Sequence, residues 1–433
     1  MWVSKIARAA AHQNLSASTR HVGRTALLVF MAVILAVGSA AATAYVDLQG
    51  NIAQTNVDDL LGTDRPSAAT TNPDDPNAGQ ALSILVLGSD VRSGSSDIDG
   101  SGASGDVTGM RADTTMLFHI SADRSRVDVV SIPRDTLVDI PSCTVWNNED
   151  GTDSSESAAQ TSAMFNSAFA TGGAGGQVAS AAACAMKTVE QLTGIRLDGY
   201  IVVDFNAFTE IVNALGGIPM YFDEDLTDTY AGLDVSAGCR LLDGDQALAL
   251  ARARKQIGDG SDISRIGRQQ ELVTAMLKEV LNLNLFTDLP SLYTVLDAAT
   301  QSISTSKGLG DITTLAGLAS SLRNINLDSV QFITMPWAYA GNRVSVAADA
   351  DILWNAIAND HVITATTDDY GNVSIVDQTL ADEAAAASPS TSSAATDSAT
   401  TTPSATATSD TATSPASSEA TTTAPVCTKE NAN

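Results

Sequence analysis

The chain has 433 residues, 44% of them hydrophobic, and carries 50 acidic side chains against 23 Lys and Arg, a formal net charge of -27. That length holds one large domain with tails, or two or three average ones, with enough apolar residues for a sizeable core. Acidity spread along the whole chain excludes general nucleic-acid binding. No zinc-type spacing appears, and the Gly/Ser-rich run 93–109 lacks the Lys-Ser/Thr of a phosphate-binding P-loop.

At the N-terminus, Lys5, Arg8, Arg20, His21 and Arg24 precede an uncharged apolar run over 25–46. About 20 apolar residues suffice to cross the hydrocarbon as a helix. The basic flank predicts a single-pass protein of the cell membrane with 1–24 cytoplasmic and the bulk extracellular. A cleaved signal peptide is the competing reading, since Ala-rich sequence follows the apolar core. The length of the run favours the uncleaved anchor, and both readings put the body outside the cytoplasm.

Residues 47–79 are polar, with Pro66, Pro73, Pro76 and Gly79, and read as a linker. The body is expected over 80–378 as one domain, followed by a tail over 379–433. Most of that tail is Ser, Thr, Ala and Pro, which cannot bury a core and is expected to be disordered.

Inside the body, the run from Leu82 to Leu87 predicts a buried strand. Residues 114–120 and 127–132 predict two more. A helix over 177–192 closes at Gly194. A strand over 199–203 and a helix over 206–215 follow. A helix begins at Asp245 and is expected to end near Ala251, and a long amphipathic helix covers 263–282. Helices near 289–303, 311–323 and 350–358 and a strand over 329–334 complete the pattern. Strands alternating with helices imply an α/β fold.

Four cysteines, Cys143, Cys184, Cys239 and Cys427, fit an oxidising exterior. They allow three complete pairings, and sequence does not choose among them. Cys143 with Cys184 is the working expectation, with Cys427 free in the tail.

Basic residues are scarce, so five within 252–268 need a cause: Arg252, Arg254, Lys255, Arg265 and Arg268. Guanidinium groups are planar forks that suit phosphate oxygens. The bland alternative is a basic helix face balancing nearby acids. Arg252 and Arg254 are two apart, so they share a face only if the chain there is extended. Arg265 and Gln269 share a helix face at four-residue spacing, near an N-terminus that Asp262 caps.

Asp90 closes the first body strand and Asp113 opens the second. Carboxylates at adjacent strand ends could share one divalent cation such as Mg2+, although either alone is an ordinary turn residue. After the third strand, Pro133 turns the chain and projects Arg134 and Asp135 beyond the sheet edge. Arg134 would hold an anion that Asp135 orients; a mutual ion pair is the plain alternative. His119 sits mid-strand and reads as a packing histidine. No Ser–His–Asp constellation is evident, which argues against a histidine-based hydrolase.

Taken in order, these motifs resemble the LytR-CpsA-Psr family of cell-envelope proteins. The resemblance runs from Leu85–Asp90 through Arg111–Asp113, Ser131–Asp135, Phe165–Asn166, Gly199–Asp204, Leu242–Leu248 and Arg252–Arg254 to Asp262–Gln270. It implies an α–β–α layered domain around a mixed central sheet. It implies a ligase-type phosphotransferase that moves a glycopolymer from a polyprenyl-pyrophosphate carrier to a peptidoglycan sugar hydroxyl. By motif, Asp90 and Asp113 resemble the Mg2+-linked carboxylates. Arg111, Arg134, Arg252, Arg254, Arg265 and Gln269 resemble the pyrophosphate contacts, and Arg268 is a further candidate. A lipid-binding scaffold without catalysis and a lipid-pyrophosphate hydrolase are the other readings. Ala163 stands where many members carry Lys, and many relatives from actinobacteria have a cysteine near Tyr221 that this chain lacks.

Overall fold

The computed structural model describes residues 31–32, 35, 38–39, 42–67, 79–90, 110–258, 260–282, 289–301, 303–322, 325, 327–368 and 371–387. The expected anchor over 25–46, the Gly/Ser run 93–109 and Cys427 lie largely or wholly outside them. Among the described residues no helix is long and apolar enough to cross a membrane.

Seven strands form the central sheet: β1 (Ala53–Thr55), β2 (Leu82–Ser89), β3 (Ala112–Ile120), β4 (Val127–Ser131), β5 (Gly199–Asp204), β6 (Ile303–Ser306) and β7 (Val330–Thr334). Their order across the sheet is β1-β6-β5-β2-β3-β4-β7. β2 runs parallel to β5 and antiparallel to β3, so the sheet is mixed, as expected. The helices are α1 (42–51), α2 (Asp58–Leu61), α3 (Asn166–Gly172), α4 (Val178–Thr193), α5 (Phe205–Ala214), α6 (Gly244–Arg252), α7 (Asp262–Asn282), α8 (Leu289–Gln301), α9 (Ile312–Leu322), α10 (Asp349–Ala358) and α11 (Gln378–Ala387). Central strands carry unbroken apolar runs because both faces are covered: Leu85, Leu87, Leu117, Val129 and Val130 are fully buried.

The largest cluster packs α3, α4 and α10 against one side of the sheet. α4 ends where Gly194 takes φ 70°, a left-handed cap that its lack of a side chain permits. α3 and α4 approach closely at Gly172, where a Cβ would come within 2.2 Å of the Ser180 carbonyl oxygen. Beside this contact, Cys143 and Cys184 form the expected disulfide. Among the described residues no cysteine is free.

Two boundaries differ from the sequence reading. The stretch read as a linker over 47–79 is, in its described part, built into the fold. β1 adds an edge to the sheet beside β6, while Val57, Leu60 and Leu61 enter the main core. Arg65 lies buried and holds Glu190 through both carboxylate oxygens. At the other end, the tail expected from 379 begins as helix through residue 387 (α11). The Asp377 side chain accepts the Leu380 N–H at 3.0 Å and so caps its start. Residues 388–433 lie outside the described set.

A Ser–His–Asp constellation does occur, contrary to the sequence reading. Ser83 Oγ lies 3.1 Å from His119 Nδ1, and His119 Nε2 lies 3.1 Å from Asp360 Oδ1. It is sealed: Ser83 is 5% exposed and His119 2%. Arg126 bridges Asp360 to the buried Asp128, so the cluster is a polar seam under the N-terminal end of β2. His119→Ala is expected to cost about 1–3 kcal/mol by orphaning these buried groups. Thermal unfolding would show it.

Candidate active site

At the other end of β2 and β3 the register slips between Gly88 and Ser89. Gly88 pairs with Thr114 and Ser89 with Ala112, which leaves Asp113 opposite no residue of β2. Such a bulge re-aims a side chain, and the Asp113 carboxylate accepts from Arg134 Nη1 at 2.6 Å. Asp90 lies alongside: its Oδ1 accepts the Arg111 N–H at 2.7 Å. Burial raises the Asp90 pKa most, the Arg111 N–H opposes this, and Asp113 raises it further.

Arg134 is held from several sides. Its backbone N–H donates to Asp262 Oδ2 at 3.2 Å, and its carbonyl accepts the Asn166 N–H at 3.0 Å. The Phe165–Asn166 motif is thus a backbone brace, with Phe165 fully buried. Asp262 is the first residue of α7. It pairs with Arg265 and approaches Arg134 Nε at 3.4 Å. Arg265 Nη2 also donates to the Asp113 carbonyl at 2.8 Å. Asp113, Arg134, Asp262 and Arg265 therefore close a ring of contacts. Burial disfavours the charge on Arg265 and lowers its pKa against the pull of Asp262. For Arg134, Asp113 and Asp262 outweigh burial and raise it. The Nε atoms of both are buried without a hydrogen-bond acceptor.

α6 runs one residue further than expected, to Arg252, and Ala253 is extended at φ -57°, ψ 130°. Ala253 turns inward, while Arg252 and Arg254 both reach the same cavity. Arg252 sits over the Phe205 ring at 4.9 Å. Gln269 donates to the Ala251 carbonyl at 3.0 Å and Arg268 to the Ala253 carbonyl at 2.6 Å. Both thus steady the turn that carries the two arginines. Gln270 ties α7 to the Ser131 hydroxyl at 3.0 Å.

The cavity has a volume of about 560 Å³. Its floor is Val86, Met116 and Phe118 of the sheet, its walls Phe208 and Ile211 of α5 and Leu248 of α6. α7 contributes one long stripe: Arg265 and Gln269, then Leu272, Met276 and Val280. At 1.5 Å per residue this stripe spans roughly 22 Å. One helix face thus changes from cationic to apolar along its length. Five cations line the cavity against three carboxylates, so the mouth is net positive.

Of the residues singled out by sequence, Asp113, Arg134, Arg252, Arg254, Arg265 and Gln269 line this cavity. Asp90, Arg111, Asp135 and Arg268 do not. Arg111 is exposed at the strand end, and Arg268 points to the turn rather than the mouth. Asp135 lies between Arg134 and Arg343, 3.9 Å from each. Two acids escaped the sequence reading. The role of Asp262 was visible only as a cap, although its three-residue spacing to Arg265 was a signal. Asp228, fully buried, accepts the N–H groups of Arg254 and Lys255 at 2.9 and 3.0 Å. No local pattern marks it.

The described body is thus a mixed α/β domain with a largely apolar cavity and an arginine-lined mouth. Residues 44–361 match the LytR_cpsA_psr family, and the chain belongs to that family. It is 33% identical over 196 residues to a probable cell wall biosynthesis protein, LcpB, of Corynebacterium glutamicum. That match covers 45% of this chain and only 40% of the relative. It is 29% identical over 256 residues to a polyisoprenyl-teichoic acid–peptidoglycan teichoic acid transferase, TagU, of Enterococcus faecalis, covering 59% of this chain and 70% of the relative. Among solved structures it is similar to a LytR-Csp2A-Psr enzyme from Actinomyces oris, with a TM-score of 0.47 and 20% identity, covering 71% of this chain and 96% of the other.

Proposed function

We propose that the protein is a membrane-anchored, extracytoplasmic phosphotransferase that moves a glycopolymer from a polyprenyl-pyrophosphate carrier to a sugar hydroxyl of peptidoglycan. The observation that carries this reading is the α7 stripe, cationic at Arg265 and apolar from Leu272 to Val280. A polyprenyl pyrophosphate has the same polarity along its length. Arg134, Arg252, Arg254 and Arg265 would hold the pyrophosphate, and the apolar wall the prenyl chain. The apolar run over 25–46 would anchor the chain beside the lipid.

In the reaction, the acceptor oxygen attacks the glycan-linked phosphorus. The bond from that phosphorus to the bridging oxygen breaks, and polyprenyl monophosphate leaves. A carboxylate beside the mouth, Asp135 or Asp90, would take the acceptor proton. Phosphoryl transfer depends mainly on positioning and electrostatics, and the braced arginines supply both.

Mg2+ fits at Asp90 and Asp113. Burial first, and the neighbouring Asp113 after it, raise the Asp90 pKa, and a cation there would oppose both. Two carboxylates alone would leave most of the ion's shell to water and to phosphate oxygens of the substrate. When bound, Mg2+ would neutralise charge on the pyrophosphate. Chelation is expected to abolish transfer, and added Mg2+ to restore it, in an assay of labelled polymer attachment.

The decisive experiment incubates purified protein with a labelled lipid-pyrophosphate glycan and peptidoglycan fragments. Transfer predicts a glycan–peptidoglycan phosphodiester together with polyprenyl phosphate. Tight binding without release would overturn it in favour of a scaffold, and release with water as the acceptor in favour of a hydrolase.

A further inference from the structure

Beyond the arginines, the mouth carries a pair that the pyrophosphate reading does not use. Tyr230 and Lys255 both line the cavity beside Arg254. Lys255 Nζ stands 4.0 Å from the centre of the Tyr230 ring, and Tyr230 is 61% exposed. A tyrosine offers an apolar ring with a polar tip, a combination enriched at binding surfaces.

The pair is built rather than incidental. Asp228, buried at the end of the first strand of a small hairpin (Leu226–Asp228 with Leu233–Val235), clamps both halves. One carboxylate oxygen accepts the Tyr230 N–H at 3.0 Å, and the other accepts the Arg254 and Lys255 N–H groups at 2.9 and 3.0 Å. Gln256 adds a second tie, accepting the Thr229 N–H at 2.8 Å. The hairpin and the arginine turn therefore move as one body, and Tyr230 keeps its place relative to Arg254.

We infer that Tyr230 and Lys255 form a subsite for the sugar attached directly to the donor pyrophosphate. This rests on the function proposed above. With the prenyl chain in the apolar wall and the pyrophosphate on the arginines, the next unit of the donor emerges at the mouth. There the tyrosine ring offers a flat face to the C–H face of a pyranose. The ammonium group offers donors to its hydroxyl, acetamido or acidic substituents.

The test is calorimetric titration of the full chain, with Mg2+, using two probes. One is geranylgeranyl pyrophosphate; the other is the same pyrophosphate bearing a single N-acetylhexosamine. The wild type should bind the sugar-bearing probe about tenfold more tightly, a gain typical of one aromatic contact with a hydrogen bond. Tyr230→Ala should erase most of that gain and leave the bare pyrophosphate affinity unchanged, while Lys255→Met, which also removes a cation from the mouth, should weaken both probes and the sugar-bearing one more. Tyr230→Phe should keep the gain. Equal losses for both probes would make the pair a pyrophosphate contact and overturn the subsite, as would no loss for either. Failure of the wild type to bind either probe would instead remove the lipid-pyrophosphate reading itself.

Discussion

Arg254→Ala is expected to slow glycan transfer by about a hundred- to a thousandfold, the usual cost of losing one preorganised charge donor. Arg134→Ala should do the same, but the two differ in cleanliness. Arg254 is placed through its backbone, whose N–H reaches Asp228 at 2.9 Å, and alanine keeps that bond. Its variant should unfold at the wild-type temperature. Arg134 also pairs with Asp113 and Asp262, so its loss removes the Asp113 ion pair, leaves Asp262 to Arg265 alone and should lower the melting temperature as well. Turnover measured beside thermal unfolding separates these effects. Near-normal polymer attachment by either variant would remove that arginine from the reaction.

Loss of the disulfide is the largest expected effect on stability. Cys143 and Cys184 are 41 residues apart, and cross-linking a loop of that size is worth about 4 kcal/mol through the unfolded chain. A Cys143→Ala, Cys184→Ala variant should melt roughly 6 °C lower. The enclosed loop contains Phe165 and Asn166, whose N–H groups donate to the Thr136 and Arg134 carbonyls and brace that turn. Affinity for the lipid pyrophosphate should therefore fall before global unfolding begins. An unchanged melting temperature would show that packing at Gly172 alone secures these helices.

Features set by short-range patterns were legible in the sequence. The two-residue spacing of Arg252 and Arg254 required an extended turn, and Ala253 provides it. The four-residue spacing of Arg265 and Gln269 put both on one face of α7, and both reach the cavity. What escaped depends on long-range pairing. Asp228 meets Arg254 26 residues later, and His119 meets Asp360 241 residues later. No local periodicity encodes such meetings. β1 has only three residues, too few for an alternation to show, so its segment read as linker. Asp113 was chosen for its place at a strand end. The bulge that aims it at Arg134 depends on the register with β2, which one strand alone does not define.

The entry into the sheet has a mechanical consequence. α1 leads into β1 across a single residue, Ile52, which is buried. Gln49 donates to the Gly310 carbonyl and Asn51 to Asp297, each at 2.9 Å. The chain therefore joins the body as a welded stem. With the proposed anchor at the far end of that stem, the domain could spin about the membrane normal but would have little freedom to nod. The height and bearing of the arginine mouth above the lipid headgroups would then be fixed by the join. An insertion of a few glycines after residue 52 would turn a mounted tool into one on a string.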